Sequence, residues 1–257
     1  MRKNLKKETA QNKIFLAAFP SVLTIFNLCI GFLSLLASIH GYFITAGWLI
    51  VLAAVVDGLD GAMARLMKTS SHFGVELDSL ADAVSFATAT SLLFTLWAIQ
   101  ELGRVAVALG FIFLSAGILR LARYNLLQAR QKNRSFYVGL TVPSASLFVA
   151  AMIITFSEPS AHFFYKFFLI LIIPLISFLM VSRIHYPNFI HLLYHRRPDL
   201  PRILLTVLLL IGFYLYPHLS LLIAASVNVS SGPLRDAWRL TSKYLLARKK
   251  GNEIPWP

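Results

Sequence analysis

Four aspartates lie close together in the sequence, within stretches that are otherwise apolar enough to cross a membrane. They are Asp57, Asp60, Asp78 and Asp82. A carboxylate at the centre of a membrane helix costs about 3 kcal/mol or more unless something offsets it. Acids kept at such a depth therefore predict a functional site.

Helical spacing pairs these acids. Residues three and four apart share one face of a helix, so Asp57 pairs with Asp60 and Asp78 pairs with Asp82. The intervening segment 68–73 is short enough to make the two helices antiparallel neighbours. Four carboxylates facing one another would repel unless cations lay between them, and oxygen-rich sites suit Mg²⁺ or Mn²⁺. Two such ions about 3.5–4 Å apart can clamp a phosphoryl group.

The residues around the acids also favour a phosphate ligand. Gly58, Gly61 and Gly74 have no side chain, so a bulky ligand can approach the backbone there. Arg65 offers the planar guanidinium that binds phosphate in a bidentate manner. One alternative, structural ion pairs with Arg65 and Arg123, does not explain the excess of acids. A second alternative, an ion-conducting cluster, does not explain why the acids lie near helix ends.

The composition identifies the elements that must position this cluster. With 57% hydrophobic residues, 14% charged residues and a mean hydropathy of +0.69, the chain is far more apolar than a soluble domain. We expect an all-α integral membrane protein, in which the apolar stretch after residues 1–13 is a retained anchor. Eight spans are predicted, with seven as an alternative if a kink at Pro217 joins the last two. The predicted spans are 21–39, 43–64, 79–99, 104–122, 141–157, 164–182, 203–216 and 218–231.

The net charge of +13 is explained by membrane topology. If eight spans start from a cytoplasmic N-terminus, all of the 24 lysines and arginines except Arg104 and Lys166 lie on the cytoplasmic side. The C-terminal basic run is then cytoplasmic too, and residues 233–247 are predicted to form either an amphipathic surface helix on anionic lipid or a solvated tail. We expect no nucleic-acid partner, because no basic stripe is interleaved with aromatic residues.

The pattern Asp-x2-Asp-Gly-x2-Ala-Arg-x8-Gly-x3-Asp-x3-Asp, which starts at Asp57, resembles the signature of the CDP-alcohol phosphatidyltransferase family, and every fixed position is filled. The resemblance implies a six-helix catalytic core, here residues 1–185. Such a core binds a CDP-linked lipid through two divalent metals, transfers its phosphatidyl group to an alcohol and releases CMP. Residues 186–257 would add about two transmembrane helices and a basic tail. We expect this extension to pack on the core or to mediate a homodimer.

Roles for single residues follow from the same resemblance. Asp57, Asp60 and Asp78 are expected to bind metal, with Asp57 and Asp78 bridging both ions. Asp82 is expected to bind the second ion and to act as the general base. The segment Pro20 to Leu28 is similar to a family motif near the nucleotide, although a helix cap is the alternative for its asparagine. The residues expected to hold the CDP group are Asn27, Asp57, Gly61, Arg65, Ser71 and Asp78.

Two further segments bear on the acceptor alcohol. Residues 117–125 and 136–143 resemble the motif pair of the phosphatidylserine synthase subgroup, except that Thr141 replaces a proline. Arg120 and Arg123 share a helix face, and a guanidinium is the natural partner of the serine carboxylate. Asn125 would then contact the serine amine. The alternatives are positive-inside anchoring for the arginines and a helix cap for Asn125.

The predicted reaction is transfer of the phosphatidyl group of CDP-diacylglycerol to L-serine, with Mg²⁺ or Mn²⁺ bound. It would take place at the cytoplasmic face of the cytoplasmic membrane. Glycerol 3-phosphate and inositol phosphate remain alternative acceptors, because the arginines would also bind a phosphate group. A divalent-ion transporter is the alternative outside this enzyme class.

Overall fold

The fold is described from a computed structural model that covers residues 2–67, 72–130, 137–157, 163–186 and 212–249. These residues are almost entirely helical, as the composition predicts. A π-helical segment, Ala83–Thr88, joins the third helix to the fourth, and residues 212–215 are also helical. The α-helices are α1 Arg2–Ile39, α2 Phe43–Met67, α3 His72–Asp82, α4 Ala89–Leu102, α5 Arg104–Arg130, α6 Val142–Phe156, α7 Phe163–Val181 and α8 Pro217–Lys249.

Four of the described helical stretches are long and apolar enough to cross a membrane. Two shorter apolar stretches, Val142–Phe156 and Lys166–Val181, coincide with the fifth and sixth predicted spans. Several apolar helices of this kind are expected of a multi-pass membrane protein. The four long stretches are Ser21–Ile39, Phe43–Met63, Phe73–Leu102 and Arg104–Leu126.

The boundaries of the third span were predicted too narrowly. Residues 79–99 were expected to form it, but the apolar helical stretch begins at Phe73 and includes Glu76 and Asp78. The prediction excluded these residues because charge lowers the hydropathy of the window. The structure therefore puts Glu76 and Asp78, together with Asp82, inside one continuous helical stretch.

The C-terminal region differs from the prediction in its helix boundaries. Tyr216 is not helical and Pro217 begins α8, where proline is tolerated because the first residues of a helix need no N–H partner. Residues 233–247, expected to be either a surface helix or a solvated tail, are helical and continue α8 through Pro233 to Lys249. The predicted span 218–231 lies in α8, which is not among the four long apolar stretches. Most of the predicted span 203–216 lies outside the described residues.

Small residues let the helices around the π-helical segment approach closely. A Cβ atom added to Gly31 of α1 would lie 2.5 Å from the Cα atom of Ser85. A Cβ atom added to Gly117 of α5 would lie 2.9 Å from the Cβ atom of Ala87. The segment is thus held between α1 and α5 at positions where only glycine fits without displacement.

A short antiparallel ladder was not predicted. Strand β1, Tyr137–Val138, pairs with β2, His185–Tyr186, and so joins the residues before α6 to those after α7. The Tyr186 ring packs against Gly232 of α8, and its hydroxyl donates to the Val229 carbonyl at 3.3 Å. Burial, with a smaller contribution from the Asp236 carboxylate, raises the pKa of Tyr186 to about 12. The hydroxyl therefore remains a donor at neutral pH.

The helix bundle has two chemically different ends. At one end, Trp97 Nε1 donates to the Ser157 carbonyl at 3.1 Å, and Lys166 forms a salt bridge of 2.9 Å with Glu101. The four aspartates lie toward the other end, near the C-terminal part of α2 and in α3. Arg104 and Lys166 are the two cations that were predicted to lie apart from the other basic residues. Arg104 begins α5 and Lys166 lies in the first turn of α7, at the end of the bundle opposite the acids.

Candidate active site

Three of the four predicted acids meet. Asp57 of α2 and Asp78 and Asp82 of α3 each contribute a carboxylate oxygen to a group whose members lie within 4.8 Å of one another. Although α3 packs mainly on α1, the expected neighbours α2 and α3 approach each other through these side chains. The carboxylates, rather than the backbones of the two helices, therefore meet.

Asp60 lies beside this group and is not part of it. It is 6% exposed, and its Oδ2 atom accepts a hydrogen bond of 2.5 Å from the Thr24 hydroxyl of α1. Its charge still acts on Asp57, Asp78 and Asp82, all of which it repels. The site thus has three converging carboxylates and a fourth that is hydrogen-bonded to a neighbouring helix.

The chemistry of these donors fits a hard divalent cation. All are carboxylate oxygens, which Mg²⁺ and Mn²⁺ prefer. Oδ1 of Asp60 and Oδ1 of Asp82 are buried and have no hydrogen-bond partner in the described part of the chain. Buried polar atoms almost always have a partner, so oxygens left in this state are suited to bind an ion.

Asn27 contributes a second unsatisfied group from α1. The side chain is 1% exposed, and neither its Nδ2 nor its Oδ1 has a hydrogen-bond partner among the described residues. The alternative that it caps a helix was wrong, because it lies in the interior of α1. Asn27 is three residues from Thr24 and therefore shares its helix face. A buried amide in this state is available to a polar ligand.

Arg120 is the predicted serine-binding residue with the clearest relation to the acids. It is 8% exposed and its positive charge acts favourably on Asp82. Its guanidinium also lies over the Tyr124 ring, 5.3 Å from the ring centroid, at a distance typical of a cation–π contact. The structure thus brings a buried cation to the predicted general base.

The other two predicted serine-binding residues have protein partners. Arg123 Nη1 donates to the Val181 carbonyl of α7 at 3.0 Å, and the described residues give Arg123 no salt bridge with an aspartate. Asn125 Oδ1 accepts a hydrogen bond of 3.0 Å from the Ser79 hydroxyl, one residue after Asp78. The cap alternative for Asn125 was wrong, since it lies inside α5. Asn125 therefore links α5 to the helix that carries two of the acids.

The remaining predicted residues are described only in part. Gly61 is partly buried in α2, and Arg65 lies in the last turns of that helix. Ser71 lies outside the described residues. Thr141, which departs from the subgroup pattern, forms the N-cap of α6, where its hydroxyl accepts from the Ser144 N–H at 3.4 Å. A hydroxyl cap therefore starts this helix at the position where the subgroup has proline.

The π-helical segment directly after Asp82 was not predicted. The Ser85 hydroxyl donates to the Asn27 carbonyl at 3.1 Å, and the Ser146 hydroxyl of α6 donates to the Phe86 carbonyl at 3.0 Å. Hydroxyl residues in an apolar helix were the available signal, but they do not distinguish a π-turn from an α-turn. Segments of this kind are frequent at functional sites.

The sequence profile of the CDP-alcohol phosphatidyltransferase family matches residues 17–192, which is more than half of the chain. The chain belongs to the CDP-alcohol phosphatidyltransferase family. The match extends from α1 to beyond α7 and includes the acids and the arginines described above. The converging carboxylates are therefore a feature of a CDP-alcohol phosphatidyltransferase.

Curated relatives narrow the comparison. A CDP-diacylglycerol–serine O-phosphatidyltransferase of Helicobacter pylori is 37% identical over 175 residues, which are 66% of this chain and 72% of that protein. An archaetidylserine synthase of Methanothermobacter thermautotrophicus is 36% identical over 66% of this chain and 70% of its own. A CDP-diacylglycerol–serine O-phosphatidyltransferase of Bacillus subtilis is 28% identical over 66% of this chain and 90% of its own.

Proposed function

We propose that this protein transfers the phosphatidyl group of CDP-diacylglycerol to the hydroxyl of L-serine, giving phosphatidylserine and CMP. The observation that carries the proposal is the group formed by Asp57, Asp78 and Asp82, with the charge of Arg120 acting on Asp82. The names of the Helicobacter pylori and Bacillus subtilis relatives support serine as the acceptor.

The reaction is an attack by the serine hydroxyl on the phosphorus that carries the diacylglycerol. A new P–O bond forms to serine, the bond to the bridging oxygen of the diphosphate breaks, and CMP leaves with that oxygen. Asp82 accepts the hydroxyl proton, a step that typically contributes about 10²–10⁴ in rate. Its buried Oδ1, which lacks a hydrogen-bond partner among the described residues, supports this role.

The four aspartates hold two divalent cations, Mg²⁺ or Mn²⁺, in this proposal. Asp57, Asp60, Asp78 and Asp82 would supply the carboxylate oxygens that hold these ions. When bound, the cations offset the negative charge of the diphosphate. The buried Oδ1 of Asp60 supports this assignment, because an ion would satisfy it.

The remaining contacts divide between the two substrates. Asn27, Gly61, Arg65 and Ser71 hold the CDP group together with the acids, and the unsatisfied amide of Asn27 supports this assignment. Serine binds near α5. The residues proposed to bind it are Arg120, Arg123 and Asn125.

Within serine binding, we assign the carboxylate to Arg120. A guanidinium can pair with a carboxylate through two parallel hydrogen bonds. Arg123 Nη1 donates to Val181 and Asn125 accepts from Ser79, so these two side chains shape the pocket while partly occupied by protein partners.

The architecture proposed for the whole chain follows the family. Residues 1–185 form a six-helix catalytic core, and residues 186–257 form an extension with about two further spans and a basic tail. Both termini face the cytoplasm, the active site opens at the cytoplasmic face of the cytoplasmic membrane, and the protein is a homodimer. The position of Arg104 and Lys166 at the bundle end opposite the acids supports this orientation.

The proposal is tested by incubating the purified protein with CDP-diacylglycerol, Mn²⁺ or Mg²⁺, and one acceptor at a time. L-serine, glycerol 3-phosphate and inositol phosphate form the panel. CMP release that depends on serine is the expected result. Release that depends on a phosphorylated acceptor would assign the same chemistry to another alcohol. If no CMP is released with any of the three acceptors, the enzymatic assignment is contradicted and ion transport is favoured.

A further inference from the structure

We propose that Thr24 is a positioning residue for Asp60, which it orients so that one carboxylate oxygen is kept free for a divalent cation. The inference rests on the proposed metal site and adds to it a residue of α1. Thr24 does not contact the reacting atoms in this proposal and acts only through Asp60.

The geometry separates the two oxygens of one carboxylate. The Thr24 hydroxyl donates to Asp60 Oδ2 at 2.5 Å, a short distance typical of a hydroxyl bonded to an ionised carboxylate. Asp60 Oδ1 is buried and has no hydrogen-bond partner among the described residues. One oxygen is therefore committed to α1, and the other is left for a ligand.

Asp60 needs such a constraint. The terminal torsion of an aspartate is broad and roughly two-fold, so packing alone does not fix which oxygen points toward the ion. Repulsion from Asp57, Asp78 and Asp82 also acts on this carboxylate before a cation binds. A hydrogen bond from a buried hydroxyl holds the group in place against that repulsion.

Thr24 differs from helix hydroxyls that serve only their own backbone. Ser38 donates to the Ser34 carbonyl at 2.8 Å, and Thr95 donates to the Ser91 carbonyl at 2.8 Å, four residues earlier in each case. Thr24, which is 3% exposed, donates across to α2. Partners of this kind orient metal ligands, and losing one typically weakens metal binding.

The test measures Mn²⁺ binding directly, by the electron paramagnetic resonance signal of free Mn²⁺ over the purified protein in detergent. Thr24→Val keeps the shape and removes the donor, so its Mn²⁺ dissociation constant should rise by about 10-fold or more. Thr24→Ser keeps the hydroxyl and should bind Mn²⁺ nearly as the wild type does. Thr95→Val removes a hydroxyl that bonds only its own helix, α4, and should leave binding unchanged.

The possible results distinguish a failure of the role of Thr24 from a failure of the proposed metal site. If the wild type binds Mn²⁺ and Thr24→Val binds it equally well, the role of Thr24 is overturned and the metal site stands. If the wild type does not bind Mn²⁺, both fail. Thermal unfolding without metal identifies a misfolded variant, and Thr24→Ala, which needs no β-branched fit, then replaces Thr24→Val in the same comparison.

Discussion

At the scale of single residues, the account depends most on Asp82. Asp82→Asn keeps the shape of the side chain but cannot accept the serine proton, so turnover should fall by about 10²–10⁴. Binding of CDP-diacylglycerol should remain measurable, because the other three aspartates are intact. CMP release gives the rate and calorimetric titration gives the binding. Turnover at the wild-type rate would remove Asp82 from the role of base.

The arginines of α5 give a second prediction at this scale. Arg120→Lys keeps the charge and loses the planar fork, so the KM for serine should rise by about 10-fold. Arg123→Lys is the matched control, since Arg123 already donates to the Val181 carbonyl and should change the KM less. Initial rates over a serine titration measure both. Equal effects in the two variants would contradict the assignment of the carboxylate to Arg120.

The aspartates of the site were predictable from sequence because their spacing forms a fixed pattern. The role of Thr24 was not, since a threonine in an apolar helix reveals its partner only when α1 and α2 are in place. Asn27 was identified by its motif, but its unsatisfied amide became visible only in the structure. Contacts between helices distant in sequence are what the sequence pattern leaves out.

At the scale of elements, the packing of α1 against Ser85 fixes the position of the π-helical segment that directly follows Asp82. Gly31→Ala would place a Cβ atom 2.5 Å from the Ser85 Cα atom, so the backbone must shift, and we expect a loss of about 1–3 kcal/mol in stability. Thermal unfolding in detergent measures the change.

Gly58→Ala is the control for that substitution. A Cβ atom at Gly58 would meet nothing within 4 Å, and alanine favours helix over glycine by about 1 kcal/mol. The Tm of Gly58→Ala should therefore equal or exceed that of the wild type. A Gly31→Ala variant as stable as the wild type would show that the contact with Ser85 is not tight.

The elements themselves were predicted unevenly, for physical reasons. Hydropathy located the first, second and fourth spans closely, since long apolar runs leave few alternatives. Hydropathy made the predicted third span too short, because Glu76 and Asp78 lower the mean hydropathy at its start. The β1–β2 ladder was missed because two residues in each strand carry no periodic signal. The π-helical segment was missed because its composition is that of an ordinary apolar helix.

At the scale of the whole molecule, the two ends of the helix bundle carry different charged groups. The buried acids and Arg120 lie toward one end, and the Lys166–Glu101 pair lies at the other. This arrangement is expected of an enzyme that takes a lipid from the bilayer and a polar acceptor from one aqueous side. In the proposed topology, the basic residues outside the site orient the chain in the membrane.

The most direct test of the central claim follows the serine hydroxyl oxygen. The purified protein is incubated with CDP-diacylglycerol, Mn²⁺ and L-serine labelled with ¹⁸O in its hydroxyl, and both products are examined by mass spectrometry. Attack by the hydroxyl predicts phosphatidylserine that retains the label and CMP that carries none. Absence of phosphatidylserine, or phosphatidylserine without the label, would contradict the account.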